Sequence, residues 1–150
     1  MRRFTNSPVV HFDQSSFYSN FTEDLRLCKR ELLIESAFLT VKRVNRLLPV
    51  LTLLVQKGTR VTVNTRHPNE HDGIMQTQAI ASILAMQSAG ITVLYTTGLH
   101  RKLAIIDRSI VWEGSLNILS QYDSCELMRR SASTNEARDV LAYTGLERFL

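Results

Sequence analysis

His100, Lys102 and Asp107 stand in the pattern H-x-K-x4-D, and Gly114, Ser115 and Asn117 follow as G-S-x-N. In an extended segment, residues two apart project to one face, so the imidazole and the ammonium point together. Apolar neighbours could satisfy neither group, which makes the pair a poor core arrangement. It is a good way to set a nucleophile beside a phosphate-binding cation. A free imidazole titrates at about pH 6.5, so at neutral pH it is available as a base that attacks phosphorus without a metal. The phosphohistidine so formed is resolved by water or an alcohol, and a second imidazole must be protonated to expel the leaving oxygen. Glycine permits close backbone approach. The Ser115 hydroxyl and the Asn117 amide offer neutral hydrogen bonds to non-bridging phosphate oxygens. Asp107, at a turn, is expected to be structural, fixing a hairpin through local backbone bonds. The chain carries the motif once.

These positions together resemble the signature of the phospholipase D superfamily, the HKD phosphodiesterases. The likeness is tight over 100–126 and looser over 15–150. In the looser part, Ser36-Ala37-Phe38-Leu39-Thr40, and Lys57-Gly58-x-x-Val61-x-Val63 before Thr65-Arg66, look like the region preceding the motif in nuclease-type members. Those members include nuclease domains attached to helicases. In that family an active site needs two copies of the motif. The resemblance therefore implies a homodimer, with two His100 side chains facing each other across a two-fold axis. It also implies that Glu126, roughly ten positions after G-S-x-N, holds His100 and raises its basicity. Cys125 stands where the family usually has a serine. The implied function is a metal-independent phosphodiesterase without cofactor, most simply a nuclease. Its partners would be nucleic acid (DNA ahead of RNA), a second copy of the chain, and a fused helicase or ATPase region. The rivals are phospholipid hydrolysis or transfer, and a nucleic-acid-binding or dimerisation module without turnover. Short length and basic balance favour nucleic acid, because lipid-cleaving members are generally long chains with two motifs.

The elements that must position these residues are legible in outline. From Ser15 or Ser16, which can cap, Phe17, Phe21, Leu25 and Cys28 share one helical face. Residues 31–38 read as a short buried strand. Thr40 opens a helix with Val44, Leu47, Leu51 and Leu54 inward; Pro49 within it predicts a kink or a restart. Arg60–Thr65 is a β-branched strand, and 66–73 a polar loop. Residues 74–89 read as a helix with Ile80, Ile83/Leu84 and Gln87 inward, before a third strand at 91–95. Strand–helix–strand–helix–strand implies right-handed crossovers, so the expected fold is α/β, a central mixed, largely parallel sheet flanked by helices. A hairpin over 100–113, a strand at 125–129 and a final helix from Asn135 complete it. Residues 1–14 are expected as an extended arm or edge segment of a single domain spanning 1–150. The abrupt ending at Phe149-Leu150 suggests a piece of a longer protein.

Composition sets limits. Hydrophobic residues at 44% and charged residues at 21% suit a globular chain. The start has no apolar run of the kind a secretory signal needs, and no stretch is apolar enough to span a membrane. Two lone cysteines, Cys28 and Cys125, are expected as buried free thiols of a cytoplasmic protein. The net charge of +4 is compatible with a polyanionic partner. His67 and His71 form H-x-x-x-H, but in a loop that spacing does not bring two rings to one metal. Arg66 and His67 follow a parallel strand and are expected as substrate contacts. Lys42, Arg43 and Arg46 read as a solvated helix face, and Arg129 and Arg130 likewise on their strand. Trp112 is expected in the core or at a dimer contact.

Overall fold

A computed structural model describes residues 8–121 and 123–150. Residues 1–7 of the expected arm and Tyr122 lie outside the described residues. In chain order the elements are β1 (Val9–Asp13), α1 (Phe17–Leu27), β2 (Glu31–Glu35), α2 (Val41–Gln56), β3 (Arg60–Thr65), α3 (Gly73–Ser88), β4 (Thr92–Tyr95), β5 (Leu103–Ile106), β6 (Ile110–Gly114), β7 (Leu127–Ala132) and α4 (Thr134–Thr144). The remainder of the arm, β1, is an edge strand paired antiparallel with β7.

The strands form one mixed sheet in the order β1-β7-β6-β5-β2-β3-β4. Helices flank it, as the sequence predicts, but the parallel part stops at β2, β3 and β4. The pairs β2–β5, β5–β6, β6–β7 and β7–β1 are antiparallel. Connection length explains the difference: a parallel neighbour needs a crossover of a dozen or more residues. The link from β4 to β5 holds no helix, and β5 and β6 are joined by a tight turn.

One face carries the larger core. Phe17, Phe21 and Leu25 of α1 and Val44, Leu47 and Leu51 of α2 pack on Leu32, Ile34, Val61, Val63, Ala104 and Trp112. Trp112 is fully buried, edge-on to Phe17 and Phe21 and tilted against Phe12, and its indole N–H donates to Asp24 at 2.7 Å. The other face is covered by α4, through Ala137 and Leu141 on Leu33, Leu103, Ile105 and Val111.

Three local expectations are corrected. Helix α2 runs unbroken through Pro49. Both Pro49 and Asn45, whose carbonyl loses its usual donor, are exposed, so water can serve that carbonyl. In α3 the inward residues are Ala79, Ser82, Ile83 and Met86, while Ile80 and Leu84 are exposed. An all-round apolar helix gives no periodic signal from which to choose its face. Finally, Ser16 precedes α1 without capping it; the Asp13 carboxylate instead accepts from the N–H groups of Ser15 and Ser16 at 2.9 and 3.1 Å.

Asp107 is structural, but its bonds are not local. Asp107 and Arg108 both sit at left-handed φ, 50° and 51°, closing the β5–β6 turn. The Asp107 carboxylate accepts from the backbone N–H of Lys29, Arg30 and Glu31 at 2.9, 2.7 and 2.9 Å. It thereby pins the hairpin tip to the connection entering β2. Partial burial pushes this carboxyl up, but the three backbone donors outweigh it and hold it below the usual range. Asp107→Ala is expected to cost about 3 kcal/mol, read by urea denaturation, because three donors lose a charged acceptor. A depressed folded pKa contributes stability that is present above the unfolded value of about 3.9 and lost as pH falls through the folded one. The gap between wild type and variant should therefore close on acidification below about pH 4.

Candidate active site

The carboxyl ends of the parallel strands β2, β3 and β4 lie at one edge of the sheet, together with the start of β5 and the end of β6. The register makes this so: Glu35 pairs with Leu103, Leu103 with Glu113, and Gly114 with Met128. His100 and Lys102 lead into β5, Ser115 and Asn117 leave β6, and Glu126 leads into β7. Residues as far apart in sequence as His100 and Glu126 thus meet at one place. This is also the edge where open α/β sheets bind ligands.

His100 and Lys102 lie just outside the regular strand, yet the extended geometry holds. The Gly114 N–H donates to the Lys102 carbonyl at 3.2 Å, carrying the ladder one step further. Lys102 Nζ lies 2.8 Å from the His100 carbonyl oxygen and 3.3 Å from His100 Nε2. An ammonium can only donate, so a hydrogen bond between the two side chains requires Nε2 as the acceptor. His100 is exposed and Lys102 half-buried. Partial burial and the nearby Arg66 charge draw the Lys102 pKa down, while Glu126 acts against them. That mutual influence puts Arg66 and Glu126 within electrostatic range of Lys102.

Glu126 is reached by hydroxyls. Ser115 Oγ donates to one carboxylate oxygen, and Ser124 Oγ to the other at 2.6 Å. These two bonds, first Ser115 and then Ser124, hold the Glu126 carboxyl below its ordinary value. Its own N–H donates to Gln14 at 2.9 Å. Among the described residues no hydrogen bond joins Glu126 to His100. Asn117 is half-buried, and its Oδ1 has no partner among the described residues.

The loop residues divide. Arg66 donates from Nε to the Leu99 carbonyl at 2.6 Å, next to His100, with its guanidinium over Phe38. His67 is exposed, sits edge-on to Tyr95 and accepts from the Asn69 N–H through Nδ1. His71 is buried against Phe38.

Sequence reasoning missed the support behind the pair. Arg101, between His100 and Lys102, turns the other way and forms a two-pronged ion pair with Glu35 at 2.8 and 2.9 Å. Glu35 is fully buried and also accepts from Asn64 at 2.6 Å, and Asn64 accepts from Thr96 at 3.1 Å. These bonds tie the His100 segment to the ends of β2, β3 and β4. A glutamate closing an otherwise apolar strand was the available signal, since a buried carboxylate demands a cation. Several other arginines are also engaged. Arg130 forks onto Asp24 at 2.7 and 2.9 Å, and Arg129 reaches Glu113 and Glu136. Arg43, expected on a solvated face, is buried against the Tyr18 ring at 3.6 Å. Cys28 is buried with its thiol pushed up to about 12, first by burial and then by Asp107; Cys125, contrary to expectation, is exposed.

A mixed sheet that gathers an imidazole, an ammonium and a G-S-x-N loop at one edge defines an α/β protein built like the HKD phosphodiesterases. The family model described as "Cardiolipin synthase, PLD-like domain" matches residues 21–136. The chain belongs to this phospholipase D-like family. In fold it is similar to Nuc, a phospholipase D family member from Salmonella typhimurium, with a TM-score of 0.73 and 16% identity over 90% of both chains. It is likewise similar to NucT from Helicobacter pylori, with a TM-score of 0.71 and 16% identity over 90% of this chain and 91% of that one. TrmBL2, an archaeal chromatin protein, gives a TM-score of 0.63 at 12% identity over 99% of this chain and 54% of its own. A comparison with curated protein sequences gave no match. No helix among the described residues is long and apolar enough to cross a membrane.

Proposed function

We propose that the chain is a metal-independent phosphodiesterase, a nuclease that works as a homodimer. The observation that carries this reading is the exposed imidazole of His100 with Nε2 3.3 Å from the Lys102 ammonium. His100 Nε2 attacks phosphorus and the bond to the leaving oxygen breaks. Lys102 takes up the charge on the non-bridging oxygens, with Asn117 as a neutral donor and Ser115 joining it once its hydroxyl turns from Glu126 to the phosphate. His100 of the partner subunit gives its proton to the leaving oxygen. That imidazole, now neutral, removes a proton from water, which attacks phosphorus and releases His100. Glu126 acts on the pair through Ser115 and through its charge beside Lys102. Arg66 and His67 extend the site as contacts to the substrate chain. Asp107 and Gly114 keep structural parts.

Nucleic acid as substrate is supported by the net charge of +4. The fold neighbour TrmBL2, whose structure is described as a novel mode of DNA binding, points the same way. DNA is therefore put ahead of RNA. A shared site is supported by an apolar groove of about 540 Å³ that borders Lys102, lined by Leu103, Leu127, Val140 and Tyr143. Leu127 is 58% exposed and Tyr143 82% exposed, and burying them against a second copy would remove that surface from water. The same groove favours a second reading that the sequence offered no stripe for, phospholipid hydrolysis or transfer, with an acyl chain in the groove. A free, exposed Cys125 suits a reducing cytoplasmic setting.

The deciding experiment is cleavage of labelled single-stranded DNA, duplex DNA, RNA and phospholipid vesicles in EDTA. Cleavage of nucleic acid alone supports the proposal; turnover of lipid alone overturns it. A chain that cleaves while monomeric in light scattering contradicts the shared site. Glu126→Gln is expected to lower kcat about 10–100-fold. Because the Glu126 carboxyl already lies below its ordinary range, the acid limb of the pH–rate profile should stay where it is in this variant.

A further inference from the structure

Helix α2 packs one stripe of side chains on the larger core and turns another outward. Arg46, Val50, Leu53 and Lys57 follow one another at spacings of four, three and four residues, so they line up along one side of the helix. A solvated stripe is ordinarily polar throughout. Here the ends are cationic and the middle is apolar, with Leu53 45% exposed. Beside this stripe, between α2 and the Arg26 turn of α1, runs a groove of about 530 Å³ lined by Val50, Leu53 and Leu54. A second hollow on the other flank of α2 also includes Leu53, so the apolar surface continues over the crest of the helix.

Charge and shape narrow the occupant. Arg26, Arg46 and Lys57 border the groove, and among the described residues no carboxylate lines it. Helix α2 contains no carboxylate along its whole length. Arg26 meets Glu23 at 3.0 Å, but that pair is exposed and worth little, so the guanidinium stays available. Arg46 and Lys57 are exposed and have no ion-pair partner among the described residues. An anionic partner is therefore called for. Nucleic acid does not fit: no aromatic side chain lines the groove for a base to stack on, and its apolar centre offers nothing to a phosphate backbone. The chain's first seven residues carry Arg2 and Arg3 and no carboxylate, so like charge opposes them as a cover. From Arg46 to Lys57 the stripe is about 16 Å long, three turns of helix. A groove of that length between two helices is shaped for a rod with an apolar side.

We propose that the groove between α1 and α2 docks an acidic amphipathic helix of a partner protein. Its apolar residues, at three- and four-residue spacing, rest on Val50, Leu53 and Leu54. Its carboxylates meet Arg46 and Lys57 at the two ends of the stripe and Arg26 across the groove, which sets the register. The docking uses none of the candidate site residues, so it stands or falls apart from the nuclease reading.

The probe is a fluorescein-labelled, helix-forming peptide of about 15 residues, with leucines at three- and four-residue spacing and glutamates on both flanks. Titrated with the full chain and followed by fluorescence anisotropy, it is expected to bind saturably. Leu53→Asp should weaken binding about tenfold, and so should Arg46→Glu combined with Lys57→Glu. Arg46 and Lys57 are exposed, so the double variant should melt as wild type even if Leu53→Asp loosens α2. A peptide with lysine in place of every glutamate should reverse the preference, binding the double variant about tenfold more tightly than wild type. The same charge change on the face covered by α4, Arg138→Glu with Arg148→Glu, should shift binding less than about twofold. No saturable binding up to about 1 mM overturns the proposal, and so does an equal loss in the α4 control. Vesicles containing phosphatidylglycerol that bind wild type but not the double variant, while the peptide stays free, would assign the groove to a membrane and overturn it. A dimer in light scattering that Leu53→Asp splits would assign the groove to a second copy, with the same consequence.

Discussion

His100→Ala is expected to leave the fold intact and to lower cleavage by about 10⁴-fold or more, with substrate affinity changed little. The side chain is exposed and, among the described residues, its hydrogen-bond contact is with Lys102, so its removal opens no cavity and strands no buried group. Stability by thermal melting should move by no more than about 0.5 kcal/mol. The chemical loss is large because the attacking atom itself is gone, and in a shared site the substitution removes both the nucleophile and its mirror-related acid. A mixed dimer makes the point sharper. If wild-type chains are mixed with an excess of His100→Ala chains, activity should fall further than dilution explains, because heterodimers lack one imidazole of the pair. Activity that tracks the wild-type fraction linearly would mean that each chain works alone.

Gly114→Ala is expected to do the opposite, damaging the structure first and the activity in consequence. A Cβ at this position would stand 2.1 Å from the Leu127 carbonyl oxygen, 2.9 Å from Met128 Sδ and 3.0 Å from Met128 Cα. Two of those atoms are backbone of the neighbouring strand and cannot rotate away. The Leu127 carbonyl also accepts from the Ser115 N–H at 3.0 Å, so moving it breaks the bond that starts the G-S-x-N loop. The cost should reach at least about 3 kcal/mol, above ordinary overpacking of a core. Loss of Ser115, Asn117 and Glu126 from their places should accompany it. Equilibrium unfolding measures the first effect, and binding of oligonucleotide to refolded protein the second. A variant of native stability would mean that β6 and β7 do not approach as closely as described.

The two substitutions mark what kind of information each residue carries. His100, Lys102, Ser115 and Asn117 were legible because chemistry requires those side chains at those spacings, and no arrangement of an apolar core does. Helices α1 and α2 were legible because each has one wet face and one dry face. The face of α3 was not, because its apolar residues surround the helix and nothing local selects among them. Arg43 was misread for a related reason. Seen along α2 it belongs with Lys42 and Arg46, and only the approach of Tyr18 from α1 and Gln121 from the loop after β6 takes it out of water.

By itself, then, the sequence determined the family, the candidate site residues and the run of strands and helices that carries them, because side-chain chemistry and hydrophobic periodicity are local properties. Only the tertiary structure decided how far the parallel sheet extends, that Asp107 reaches across to the chain entering β2, and that Glu35 and Arg101 brace the reactive pair. It also decided that Arg43 is buried against Tyr18. These are matters of which distant segments meet, and the cost of burying a charge or an unpaired polar atom is set by those meetings and not by the residues alone.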